Sequence, residues 1–170
     1  MTFAVPEPGP DDPRAIVAQL IDTCAEFDLL RLADARILVL FRTVPKVRGG
    51  RPVLGTLTLP AFTGALADLA AWLLAEHAGD PPPDFLLILD RDWWQQADAR
   101  SREAMLFHQL MHHGQAADKE GEPRYDADGR PVWMVRAADV AVFHAELRRY
   151  GAWSPELTEM MAAAAANRMT

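Results

Sequence analysis

The run Phe85-Leu86-Leu87-Ile88-Leu89-Asp90 constrains the fold more than any other stretch of the sequence. It is short, apolar and partly β-branched, and Gly79-Asp80-Pro81-Pro82-Pro83 ends whatever helix precedes it, so it reads as a buried strand. Two further runs read as strands. Arg36-Ile37-Leu38-Val39-Leu40-Phe41 is one, and Val53-Leu54-Gly55-Thr56-Leu57-Thr58-Leu59 is the second, placed near the first. Around them the apolar spacing is helical. Ile16, Leu20, Ile21, Cys24 and Phe27 give an amphipathic helix over residues 13–31, with Pro13 at its first turn. Phe62, Leu66, Leu69, Leu73 and Leu74 give another over 61–77. Asp98 or Ser101 caps a third, which runs to His113 and stops at Gly114 as a C-terminal glycine. A hairpin with an Asp128-Gly129 turn comes next, over 124–135. Asp139 then caps a helix that Gly151 ends, and Ser154-Pro155-Glu156 opens the last one. The order predicts an α+β fold in one domain over residues 13–170, preceded by a loose, proline-rich leader over 1–12.

With 170 residues, a chain can bury roughly 70% of the surface it exposes when unfolded. The single cysteine, Cys24, excludes an internal disulfide and suits a reducing cytoplasm. No segment reaches the roughly 20 apolar residues that span a bilayer, and the first eight residues lack the pattern of a signal peptide. A net charge of −7 argues against nucleic acid as a partner, because phosphate binding depends on accumulated Lys and Arg. Arg42, Lys46, Arg48 and Arg51 form the one basic stretch, expected to be a solvated turn.

The chemistry concentrates in Phe107-His108-Gln109-Leu110-Met111-His112-His113. At about 100° per residue, His108 and His112 lie within roughly 40° of each other on a helix, and His113 points elsewhere. Two imidazoles so placed can reach one metal ion. A His-x-x-x-His pair on one helix is the core of the His-Glu-x-x-His zinc signature, in which the glutamate beside the first histidine deprotonates a metal-bound water. Position 109 holds glutamine instead. An amide keeps the shape of a carboxylate but accepts no proton at neutral pH, so hydrolysis is expected to be severely impaired or absent.

Residues 102–114, ending in His108-Gln109-Leu110-Met111-His112-His113-Gly114, resemble the active-site helix of the putative phage metallopeptidase family, in which an alanine-rich lead-in precedes His-Glu-Leu-x-His. Downstream, Trp133-Met134-Val135-Arg136 resembles that family's strand after the helix. Asp139-Val140 with Phe143 resembles its His-Asp-Val-x-x-Phe segment, and Arg149-Tyr150-Gly151-Ala152-Trp153 resembles its closing Gly-x-Trp. Upstream, Ala33-Asp34-Ala35-Arg36-Ile37, Leu40-Phe41-Arg42 and Val53-Leu54-Gly55 resemble its first two strands. The resemblance runs over roughly residues 15–155. It implies a zincin-like domain, with a small mixed sheet packed on the active-site helix and flanking helices. It also implies one zinc ion held by His108 and His112, and a peptide or protein substrate lying beside an exposed strand. Two positions depart from the pattern. Gln109 stands where the family has its general-base glutamate, and Ala138 stands where it has a downstream histidine, a third ligand. Asp139 is retained as a candidate to ligate or orient, and His144 is the nearest substitute histidine.

Other residues have plainer readings. Trp93 and Trp94 are expected as a core anchor, and Met105, Met111, Met160 and Met161 as core filling. Glu103 and Glu146 read first as solvated helix residues, with a hydrogen bond behind a metal ligand as the minority reading for either. Two alternatives stand beside the peptidase reading. One is an inert pseudo-peptidase acting as a protein-binding module; the other, weaker, is a phage-derived DNA-associated protein using the basic turn.

Overall fold

The computed structural model of the chain describes residues 2–65, 67–79, 82–137 and 143–166. Strand β1 (Phe3–Ala4) is followed by helix α1 (Pro13–Thr23), a 3₁₀ turn (Ala25–Phe27) and a short α2 (Asp28–Leu32). Then come β2 (Ile37–Arg42), the small ribbon of β3 (Val47–Arg48) and β4 (Arg51–Pro52), β5 (Gly55–Thr58), α3 (Ala67–Ala78) and β6 (Phe85–Asp90). Helices α4 (Arg91–Gln96) and α5 (Ala99–Leu110) lead to β7 (His113–Gln115) and β8 (Trp133–Val135), and α6 (His144–Tyr150) and α7 (Pro155–Ala166) close the chain. This is the expected single α+β domain with a small mixed sheet and flanking helices.

The sheet runs β1-β2-β6-β5. β6 is parallel to β2 and antiparallel to β5, so the apolar run that dominates the sequence is an inner strand. Phe85, Leu87 and Leu89 are fully buried, and the alternate Leu86 and Ile88 are half-buried. One face of the sheet therefore carries the core. The sequence places the 53–59 strand near the first, but β6 lies between it and β2, leaving β5 at the sheet's edge.

Helix α5 covers that core face. Asp98 caps it, its Oδ1 accepting from Ser101 N at 2.8 Å, as expected from the residue type. Ala104, Met105, Leu106, Phe107 and Leu110 are all buried, so α5 is enclosed on most of its circumference rather than amphipathic. Each such large apolar side chain contributes roughly 1.5–3 kcal/mol on burial.

Several boundaries differ from the sequence reading, each for a local reason. The 13–31 helix breaks at Cys24, whose backbone is extended (φ −105°, ψ 125°). The Thr23 hydroxyl bonds the Gln19 carbonyl, and the Arg31 guanidinium donates to the Ile21 and Asp22 carbonyls, closing the end of α1. The break turns Phe27 into the core. The 61–77 helix begins only at Ala67. α5 ends at Leu110 rather than His113, because His113 and Gly114 pair with Val135 and Met134 in a ribbon. A Cβ on Gly114 would sit 3.2 Å from Met134 Cγ, so this glycine permits strand approach rather than capping a helix. The 124–135 hairpin keeps its Gly129 turn (φ 76°), but residues 133–135 pair with β7.

The first twelve residues, expected as a loose leader, include β1 paired with β2, and the Asp11 carbonyl accepts from Trp94 Nε1 at 3.0 Å. Trp94 is buried, as the core-anchor reading requires. Arg42 leaves the basic stretch altogether. It is buried, 3.5 Å from Asp90, and donates to the carbonyls of Val44 and Val53. Lys46, Arg48 and Arg51 remain exposed. Met105 and Met111 fill the core as expected, whereas Met160 and Met161 are exposed. No helix among the described residues is long and apolar enough to cross a membrane.

Candidate metal site

The site is assembled on the last turn of α5 and the turn that closes it. His108 lies within the helix. His112 lies one turn on, past the helix end, where its N–H bonds the Gln109 carbonyl at 3.1 Å. The two rings are edge-to-face with centroids 5.0 Å apart. Helical spacing does bring them together, as the sequence predicts.

The ring nitrogens are not equivalent. His112 Nδ1 is 2.7 Å from the Arg136 carbonyl, which can only accept, so Nδ1 carries the proton. His108 Nδ1 is 2.7 Å from Glu146 Oε2. That carboxylate also accepts from Phe143 N–H at 3.3 Å through Oε2 and from Trp153 Nε1–H at 2.5 Å through Oε1. Neither donor can reverse its role, so the carboxylate acts as acceptor and His108 Nδ1 donates as well. In the neutral form of each ring, Nε2 is then the nitrogen that keeps a lone pair. Metal-binding histidines characteristically have this arrangement, with the other nitrogen donating to a carboxylate or carbonyl. Phe143 packs edge-on against His112 at 4.9 Å and supports Arg136, whose guanidinium lies 5.0 Å from its ring centroid.

The Gln109 side chain reaches the sheet edge. Its Oε1 accepts from Leu57 N–H at 3.1 Å, on the side of β5 that does not face β6. The acceptor must be oxygen, since the partner is a donor. Gly55 allows the approach: a Cβ there would meet Met105 Sδ at 2.7 Å and Gln109 Cγ at 3.0 Å. Between β5 and the α6–α7 connection lies a cleft of about 620 Å³, walled by Leu54, Gly55, His108, Gln109, Glu146 and Trp153. His112 stands beside His108 but outside these walls.

His113 behaves as expected for a residue pointing elsewhere. It is buried against the Phe27 ring, with Nδ1 2.7 Å from the Leu110 carbonyl. His144 is exposed at the start of α6. Asp139 and Ala138 lie outside the described residues. Among the described residues no group of three or more His, Cys, Asp or Glu side chains is gathered to hold a metal. Glu146 is the residue that sequence reasoning misplaces. Its position on a short helix reads as solvated, yet it is fully buried. Glu103 accepts from the Tyr150 hydroxyl at 2.8 Å, and burial together with that carboxylate pushes the phenol's pKa well above its ordinary value.

Burial lowers the pKa of both His112 and His113 from the ordinary 6.5, with the nearby Arg136 charge acting in the same direction. A depressed folded-state pKa means that the unfolded chain binds protons first as pH falls. Stability of the metal-free protein is therefore intact above about pH 6.5 and declines below it. Urea midpoints measured from about pH 7.5 to about 5.5 should fall across that window; a flat profile would contradict the neutral, buried state of these two rings.

Compared with protein-family models, residues 9–165 match the family described as putative phage metallopeptidase. The chain belongs to that family. Comparison with curated proteins and with solved structures gave no match. The family's description implies a metal, and the donor set of this chain fits one in part. His108 and His112 offer two oriented imidazole lone pairs with their opposite nitrogens already bonded. Catalytic zinc usually has three protein ligands.

Proposed function

We propose that this chain is a zincin-like metallopeptidase domain that holds one zinc ion through His108 and His112 and receives an extended peptide in the cleft beside β5. The observation that carries this reading is the shared state of the two histidines. Each gives its Nδ1 proton to a fixed acceptor and keeps an Nε2 lone pair. Zinc bound there would polarise a substrate carbonyl and lower the pKa of a bound water to about 7. The third donor is Asp139 or, less directly, His144.

Substrate binding and proton transfer fall to the chain's own residues. β5 is an edge strand, so a peptide laid along its outer side gains main-chain hydrogen bonds from Gly55, with Trp153, Leu157 and Met160 offering apolar contact in the same cleft. Gln109 occupies the general-base position without the means to take a proton, and its oxygen is engaged by Leu57 N–H. Hydrolysis is accordingly impaired by about 10²–10⁴-fold relative to a chain with glutamate there. That engagement also favours a second reading, in which the domain binds a peptide or protein partner and does not cleave it. The DNA-associated alternative loses support, because Arg42 is withdrawn from the basic stretch to pair with Asp90.

Protein purified without chelator is expected to contain close to one zinc per chain, and His108→Ala/His112→Ala to contain none while retaining its helical signal. Zinc content near zero in the unaltered chain, even after zinc is supplied, would remove the metal reading and leave the interaction module.

A further inference from the structure

Helix α6, only seven residues long, carries a glutamate with 0% of its surface exposed. Carboxylates are almost never fully buried unless paired, because desolvation penalises the charge. A helix-capping duty does not require this. Accepting Phe143 N–H at the first turn of α6 is a task that an exposed glutamate performs equally well. The Glu146 carboxylate instead sits where α5, α6 and the chain after α6 converge. It accepts from His108 on the first, Phe143 at the start of the second and Trp153 on the third.

We infer that Glu146 is a positioning residue for His108, fixing the Nδ1-protonated tautomer so that the Nε2 lone pair is presented to a metal ion. This rests on the reading of His108 and His112 as ligands. A neutral imidazole has two tautomers and a ring that can flip about χ2, and the wrong combination buries the lone pair that a metal needs. A carboxylate held by two further donors removes both freedoms. It also places formal negative charge behind the ring, as carboxylate-backed metal ligands characteristically have. His112 is held in the same tautomer by a neutral partner, the Arg136 carbonyl. The two imidazoles are therefore equivalent in geometry but not in electrostatics, and His108 is the stronger donor of the pair.

The informative variant is Glu146→Gln in the full chain. The amide keeps the shape but has one acceptor oxygen for three donors. Its NH₂ must then oppose either Trp153 Nε1–H or the His108 and Phe143 N–H groups. Two measurements are made: zinc affinity by competition with a chromophoric chelator, and the tautomer of His108 in metal-free protein from ¹⁵N chemical shifts of the ring nitrogens. The unaltered chain should show His108 protonated at Nδ1. Glu146→Gln should bind zinc about 10–100-fold more weakly and lose the single tautomer, with its helical signal intact. A His108 protonated at Nε2 in the unaltered chain would overturn the inference. So would a Glu146→Gln variant with unaltered zinc affinity and tautomer. If the variant does not fold, the tautomer in the unaltered chain decides. If the unaltered chain takes up no zinc, the metal reading fails, and the tautomer still reports separately on Glu146.

Discussion

Gln109→Glu is expected to raise the rate of hydrolysis of an unfolded protein substrate by about 10²–10⁴-fold in the zinc-supplied protein, the range that general-base catalysis contributes. The side chains are nearly isosteric, so one carboxylate oxygen can keep the bond from Leu57 N–H while the other stays available in the cleft. Peptide affinity should change little, because the substituted wall residue keeps its shape and the other walls of the cleft are unaltered. The variant has a cost that makes the test sharper. Residue 109 is 8% exposed, and a carboxylate placed there without metal is desolvated with one backbone donor for support. The metal-free variant should therefore melt below the unaltered chain, and zinc should recover more stability in the variant than in the parent. Measured kcat/KM decides the matter. A gain in the expected range assigns the missing activity to the proton acceptor alone. No cleavage by Gln109→Glu, nor by Gln109→Glu/Ala138→His, would leave a module that binds peptide without cutting it.

The legible parts of this molecule are those whose signal is local. The apolar run 85–90 is cut off by prolines and forms the inner strand. Asp98 ahead of Ser101 caps α5, and the spacing of His108 and His112 survives although the second histidine lies beyond the helix end. The illegible parts depend on partners far along the chain. Glu146 and His108 are 38 positions apart, and nothing near Glu146 distinguishes a buried carboxylate from a solvated one on a short helix. Arg42 reads as part of a basic turn until Asp90, 48 residues later, is seen beside it. His113 and Gly114 satisfy every local rule for a helix end. They form a strand because residues 133–135 arrive to pair with them, and that pairing is decided by tertiary structure. The break at Cys24 has a similar origin, since Arg31 reaches back to carbonyls 9 and 10 residues earlier.

Phe107→Ala is expected to destabilise the protein by about 3–5 kcal/mol, the cost of emptying a fully enclosed aromatic site. Phe107 has no exposed surface. Its ring meets Phe27 at 5.1 Å and Tyr150 at 5.4 Å, both edge-to-face, and the Arg149 guanidinium lies 5.7 Å from its centroid. It therefore joins α5 to the turn after α1 and to the end of α6, the helix that carries Glu146. Trp72, an aromatic of larger area but 58% exposed on α3, sets the comparison. Trp72→Ala should stay within about 0.5 kcal/mol of the parent. Against a typical total of about 5–15 kcal/mol, the Phe107 loss is large enough to leave a measurable unfolded fraction at 37 °C. Urea denaturation at constant m-value reads both. Zinc then separates damage to the core from damage to the site. At a free concentration near 100 times its Kd, a ligand specific to the folded state adds about 2.7 kcal/mol. Phe107→Ala should recover close to that amount if the last turn of α5 still brings the two histidines together, and much less if the cavity lets the helix shift. A loss below about 1 kcal/mol would mean that α5 is held in place by something other than the contacts of Phe107, and that the histidines owe their placement to the Glu146 and Arg136 bonds instead.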